Sequence, residues 1–292
     1  MSRFVHEENG ELWFREALVD DWGAAMRVRE VLYDEESDHQ NVLVVDTERF
    51  GRVLALEGVV QVAQADEYIY HEMVSHTPLL AHPGAERVLV IGGGDGGVIR
   101  EVLRHPSVKS VRLVEIDEAV VEFSRKWFPE VSAGAFDDQR LTLTITDGAA
   151  FMKDPQDAYD VIIVDSTDPV GPGAVLFTQE FYADCRAALA PGGVLVTQNG
   201  LPFFQPQELR DARKRLGAVF QHTGFFLMAN SSYCGGFMTL GFSTDDAAAF
   251  RPDPDQLKER FAAAGLQTRY YTPELHPASF ALPAWIERIF AD

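Results

Sequence analysis

The sequence predicts an α/β fold in which a mostly parallel, doubly wound sheet follows a small antiparallel β domain. Three observations carry this expectation. From Arg87 onward, apolar runs of strand length alternate with segments of helical periodicity. A glycine-rich turn, Ile91-Gly92-Gly93-Gly94-Asp95-Gly96-Gly97, joins the first of these strands to the first of these helices. Before Glu67 the pattern is different: apolar stretches separated by turn residues.

In chain order, the N-terminal stretches cover residues 24–33, 41–46, 51–56 and 59–63, divided by Thr47-Glu48-Arg49-Phe50-Gly51 and by Glu57-Gly58. They predict an antiparallel domain over residues 1–65 and a second domain over 66–292. A helix over 67–80 leads into the latter. Strands are predicted at 88–91, 111–116, 141–146, 161–165, 194–198, 225–229 and 237–242. Helical patterns at 98–105, 118–128, 149–153 and 179–189 separate the first five, and one at 206–220 precedes the sixth. Only residues 230–236 divide the last two strands, too few for a crossover helix, so these two should pair antiparallel. Five parallel strands, a helix and a closing hairpin make a Rossmann-like, AdoMet-methyltransferase-type sheet of seven strands. Leu189-Ala190-Pro191-Gly192-Gly193 before the fifth strand strengthens that likeness. After Arg251-Pro252-Asp253-Pro254, the sequence predicts one last helix and an aromatic-rich tail.

Composition narrows the partners. The 292 residues include 25 Lys and Arg against 45 Asp and Glu, a net charge of −20. A duplex-binding surface needs the opposite sign, so no nucleic-acid partner is expected. The acidity aids solubility and can also gather small cations. Two cysteines far apart, Cys185 and Cys234, form no CxxC and no disulfide framework, which suits a reducing compartment. Met1 to Phe14 has no apolar core of a signal peptide, and no apolar run approaches the ~20 residues of a membrane span. A cytoplasmic protein with no membrane partner is expected.

The glycine turn has the context of a nucleotide-binding loop, yet it holds Asp95. A loop built for phosphate presents bare N–H groups and no acid. Asp95 would repel pyrophosphate and attract a cation, so the loop suits a positively charged nucleoside. Ligands of doubly wound sheets bind beyond the carboxyl ends of the strands. Acids stand there four times: Asp95; Glu115 and Asp117; Asp147; and Asp165 with Asp168. Singly, each can be a helix cap or a turn former, above all Asp117, which directly precedes a helix, and Asp147 before Gly148. Glu115 lies about 20 residues beyond the loop, the spacing that brings a carboxylate to ribose hydroxyls. Asp147 could accept a hydrogen bond from an adenine amino group. Asp165 and Asp168, in Asp165-Ser166-Thr167-Asp168-Pro169-Val170-Gly171-Pro172, can divide two tasks, proton acceptance and charge binding. His71-Glu72-Met73-Val74-Ser75-His76 is one residue too long for a zinc motif. Histidines five apart on a helix point about 140° apart, so no metal is expected.

These residues, with Tyr70-His71-Glu72-Met73, Trp13, the Asp38-His39-Gln40 stretch and Gly58-Val59-Val60-Gln61, resemble the polyamine aminopropyltransferase family over nearly the whole chain, its bacterial spermidine synthases above all. The resemblance implies decarboxylated S-adenosylmethionine as co-substrate, with no prosthetic group and no metal. It implies an amine acceptor, usually putrescine, and methylthioadenosine as product. Asp165 would be the base, with Tyr70 orienting the attacking nitrogen. Asp95 would take the donor's ammonium. Gln40, Gly92, Gly94, Glu115, Asp147, Gly148 and Pro172 would hold the nucleoside. Gln61, His71, Ser166, Thr167, Asp168 and Tyr233 would line the amine site, with Trp13 closing its far end. A homodimer or homotetramer using the β domain is implied, with 166–174 as a lid. One departure stands out: the family's Pro-Thr-Tyr before the closing hairpin is Ser231-Ser232-Tyr233 here. Loss of proline loosens the backbone, and small side chains could make room for cadaverine, agmatine or a triamine. A methyltransferase using intact AdoMet and an inactive polyamine-binding homologue remain as alternatives.

Overall fold

Residues 3–37, 40–167, 171–234 and 236–291 are described by a computed structural model of the chain. Val42 to Val45 is an unbroken apolar run, and an apolar strand must bury both faces. It does so in β4 (Asn41–Thr47), within a six-stranded antiparallel sheet in simple sequential order. The others are β1 (Val5–Glu8), β2 (Glu11–Arg15), β3 (Ala25–Glu36), β5 (Gly51–Leu56) and β6 (Val59–Ala63). Alternation along β4 assigns its two faces. Leu43 and Val45 pack inside the sheet's own core with Phe14, Met26 and Val53. Val42 and Val44 pack with Leu54 and Val62 on Phe128 and Val131 of the second part of the chain. One strand thus serves two cores.

The first two strands escape the sequence reading. They are short and flanked by charged residues, so the apolar pattern is weak. The hairpin signal was nevertheless present: Asn9 and Gly10 join them, both at positive φ (54° and 82°), as a two-residue hairpin turn requires.

The second sheet has seven strands in the order β12-β13-β11-β10-β7-β8-β9. These are β7 (Arg87–Gly92), β8 (Ser110–Glu115), β9 (Leu141–Ile145), β10 (Tyr159–Asp165), β11 (Leu189–Gln198), β12 (His222–Met228) and β13 (Met238–Thr244). The five from β11 to β9 run parallel, and β13 pairs antiparallel with both β11 and β12. This is the Rossmann-like, seven-stranded arrangement expected. The chain leaves β7 to one side and returns as β10 on the other, so the strand order reverses between them. Their last residues, Gly92 and Asp165, stand directly opposite.

Helix α1 (Glu67–Ala81) is buried at every residue but Tyr68, so Glu67, Tyr70, His71, Glu72 and His76 find their polar partners inside the protein. Helix α2 (Gly97–Leu103) starts at the glycine loop and packs against α1. The C-terminal expectation needs correction. Beyond residue 252 there are three helices, Pro254–Ala264, Leu275–Ser279 and Ala284–Ile289. The last two are too short to carry a periodic signal. Glu72 anchors this segment: its carboxylate accepts hydrogen bonds from the backbone N–H groups of Arg269, Tyr270 and Tyr271 at 2.7–2.8 Å.

Candidate active site

The site lies at the strand-order reversal, between the carboxyl ends of β7, β8 and β10, the start of α1 and the edge of the N-terminal sheet. Its glycines are required by what crowds them. A Cβ on Gly92 would lie 2.0 Å from the Asp165 carbonyl oxygen, and Gly92 itself has φ of 79°. A Cβ on Gly94 would lie 2.8 Å from Glu115 Oε2. The loop is bare so that the Asp165 backbone can close on it from one side and the Glu115 carboxylate from the other.

Asp165 ends β10 and is the centre of the charged group. The Tyr70 hydroxyl donates to its Oδ1 at 2.5 Å. Burial, reinforced by the neighbouring Asp95 carboxylate, pushes Asp165 up to about 6. Burial pushes the Tyr70 and Tyr233 phenols far above their ordinary value, so both remain donors. Burial alone would also raise Asp95. His71 opposes it, with Nε2 3.4 Å from Asp95 Oδ1, and so does the Gly97 N–H, which donates to that oxygen at 2.6 Å. Asp95 ends below the usual carboxylate range. Glu115 is buried and raised to about 7, although the Asp117 N–H donates to its Oε1 at 2.9 Å.

Most of the expected residues meet in one cavity. Gln40, Glu115, Asp147 and Gly148 line one end with the glycine loop; Gln61, Tyr70, His71 and Tyr233 line the other; Asp165, Ser166 and Thr167 lie between the ends. Asp147 also caps the helix that follows, accepting from the Ala149 N–H at 2.7 Å. Asp117 is only a cap: it accepts from the Ala119 N–H and the Ser37 hydroxyl and does not line the cavity. Trp13 does not reach the cavity either. Glu16 and Leu18 line that wall instead, because the chain turns inward beyond the end of β2. Asp168 lies outside the described residues. Pro172 belongs to the 3-10 helix Gly171–Phe177, its side chain likewise outside them.

Neither Ser231 nor Ser232 lines the cavity. Ser232 is buried away from the cavity, and its N–H donates to Asp66 Oδ2 at 2.8 Å. The Tyr233 hydroxyl donates to the Gln61 carbonyl at 2.8 Å, tying this segment to the N-terminal sheet. Two polar lining residues were missed by the sequence reading. Glu16 is a buried acid whose contact, the Val60 N–H, lies 44 positions away. Gln198 ends the fifth parallel strand, where the strand-end rule would have found it had it not been applied to acids alone.

His71 and His76 diverge as the helix geometry required. His76 faces His105 and Glu101 at 2.9 and 3.1 Å, on the side of α1 away from Asp95. Among the described residues, no group of three or more His, Cys, Asp or Glu could hold a metal ion.

Fold and site together define a Rossmann-like transferase with an acid-lined nucleoside crevice. Residues 67–252 match the model of the spermine/spermidine synthase domain, and residues 12–64 that of the spermidine synthase tetramerisation domain. A polyamine aminopropyltransferase of Ruegeria sp. (strain TM1040) is 51% identical over 96% of this chain and 99% of its own. One from Salmonella newport (strain SL254) is 47% identical over 94% and 96%. The solved spermidine synthase of Thermotoga maritima superposes with a TM-score of 0.89 at 36% identity, covering 96% of this chain and 94% of that one. A spermidine synthase in complex with the transition-state analogue AdoDATO superposes at 0.91, with the same identity and coverage. The chain belongs to the spermine/spermidine synthase family and is a polyamine aminopropyltransferase.

Proposed function

We propose that the enzyme moves the aminopropyl group of decarboxylated S-adenosylmethionine to putrescine, giving spermidine and methylthioadenosine. The observation that carries this reading is Asp165: a partly buried carboxylate raised to about 6, bonded to a phenol and facing a second carboxylate, Asp95. An attacking diamine nitrogen must first lose a proton. With a lysine-like pKa near ~10.4, that costs about 4–5 kcal/mol at pH 7. Asp165 takes the proton and Tyr70 orients the nitrogen. The nitrogen forms a bond to the propyl carbon next to sulfur. The C–S bond breaks, its electron pair neutralises the sulfonium, and the thioether leaves without a general acid. Holding both substrates in line is the largest contribution to rate.

Asp95 accepts the donor's ammonium, and intact AdoMet would bring a carboxylate against it. Glu115, Gln40, Asp147 and Gly148 hold the nucleoside, and the Gly92 and Gly94 backbone allows its close approach. Gln61, Ser166, Thr167, Asp168 and Tyr233 line the amine channel, with the buried acid Glu16 in its wall for the distal ammonium. The tethered Ser232–Tyr233 segment supports a pocket of ordinary diamine size, and so putrescine over longer amines. The spermidine synthase solved with AdoDATO supports the donor. We assign residues 1–65 to assembly, as a homotetramer or homodimer, and residues 66–292 to catalysis. The tetramerisation-domain match supports the former. We place the protein in the cytoplasm; Cys185 and Cys234 form no disulfide, and among the described residues no helix is long and apolar enough to cross a membrane.

The decisive experiment offers decarboxylated and intact AdoMet with putrescine, cadaverine, agmatine and spermidine, and identifies products by mass. Spermidine and methylthioadenosine from the decarboxylated donor are expected. A methylated amine from intact AdoMet would overturn the reading.

A further inference from the structure

Both ring nitrogens of His71 face carboxylate oxygens. Nδ1 lies 2.5 Å from Glu67 Oε2, one helical turn earlier on α1. Nε2 lies 3.4 Å from Asp95 Oδ1. A neutral imidazole has one N–H and one lone pair, and an ionised carboxylate can only accept. In either neutral tautomer a lone pair would oppose a carboxylate; only the doubly protonated ring satisfies both sides. The ring packs tightly against Gly97, where a Cβ would lie 2.2 Å from it. Glu67 is fixed in turn. Arg100 of α2 clamps it with two hydrogen bonds, at 3.1 and 2.9 Å, and is itself tied to the Val131 carbonyl and to Glu101.

We propose that Glu67, clamped by Arg100, is a positioning residue that keeps His71 an imidazolium and so sets how strongly Asp95 acts on Asp165 and on the incoming ammonium. His71 then offers substrate no lone pair. It acts through Asp95, donating to it and offsetting part of its charge. The groups facing His71 are Glu67 from its own helix, Arg100 from α2, Asp95 from the loop and Asp165 from β10, with the Tyr70 phenol beside it. Burial opposes a charged ring, yet Asp95 and Glu67 outweigh it and raise His71 to about 10. The cation in turn holds Asp165 below the value that burial and Asp95 would give it. Neutral His71 would therefore raise Asp165 and move the acid limb of activity to higher pH.

The part concerning Asp165 rests on its assignment as the base; the part concerning the ring does not, and the test separates them. Ring nitrogen resonances of His71, identified by their loss in His71→Gln, are followed by NMR in the substrate-free protein from about pH 5.5 to 9. In the wild type His71 should stay doubly protonated throughout. In Glu67→Gln it should titrate at the lower end of that range, near Asp165 itself, so that the acid limb of kcat/KM rises by roughly half a pH unit or more. In the His71→Gln background, Glu67→Gln should add no further shift. A wild-type ring that loses its proton below pH 8, an unchanged ring in Glu67→Gln, or an undiminished shift in the double variant would each overturn the proposal. The wild-type titration remains decisive should Glu67→Gln fail to fold. A charged wild-type ring in a protein whose Asp165→Asn variant stays active would sink the base assignment and leave the ring assignment standing.

Discussion

Asp165 and Asp95 are both partly buried carboxylates, yet one is raised to about 6 and the other held below its ordinary value. The difference is their company: Asp95 has a cationic ring and a backbone N–H, whereas Asp165 has a phenol and a like charge. This split gives one group able to take a proton and one that stays charged. Asp165→Asn should lower kcat by on the order of 100-fold or more, as for a lost general base, while methylthioadenosine binding persists; steady-state rates and calorimetry read the two separately. In the wild type, kcat/KM should fall as pH drops through about 6, where Asp165 takes up a proton in the free enzyme. A profile flat between about pH 5 and 7 would contradict this. Much of the residue scale was legible because Glu115 and Asp165 end strands and Asp95 lies in the loop that follows one, and chain order alone brings strand ends together. Glu16 was not legible, because its place depends on how the first sheet docks.

Elements were readable where burial imposes a pattern. The inner strands of the second sheet are continuous apolar runs, since helices cover both faces, and β7 and β10 were recognised within a residue or two of their ends. The edge hairpin of β1 and β2 and the two shortest helices lack such a pattern. The C-terminal segment holds its course through a contact no periodicity reveals, the Glu72 carboxylate. Gln in place of Glu72 keeps the shape but removes the charge and leaves one acceptor oxygen for three N–H groups, which now bond both oxygens. It should cost about 2–3 kcal/mol, read as a lower denaturant midpoint, with the fastest gain in hydrogen exchange at residues 269–271. Unchanged protection there would show that the segment is held by its apolar packing alone.

Across the whole molecule, net charge and site agree. A surplus of 20 negative charges surrounds a crevice for two cationic substrates. Raising salt from about 0.01 to 0.15 M shortens the Debye length from ~30 to ~8 Å. The KM for the amine should then rise several-fold while kcat changes little; a KM indifferent to salt would confine attraction to the contacting acids. The two sheets also share a debt. β4 feeds two cores at once, and Tyr233 of the second sheet's closing segment leans on the Gln61 carbonyl of the first. A fragment beginning after residue 65 would keep the glycine loop, Glu115, Asp147 and Asp165, lose Glu16, Gln40 and Gln61 from the lining, and leave Phe128 and Val131 uncovered. The enzyme is therefore not a portable catalytic domain with a detachable assembly tag. Exchanging N-terminal sheets between relatives should exchange acceptor preference along with quaternary structure.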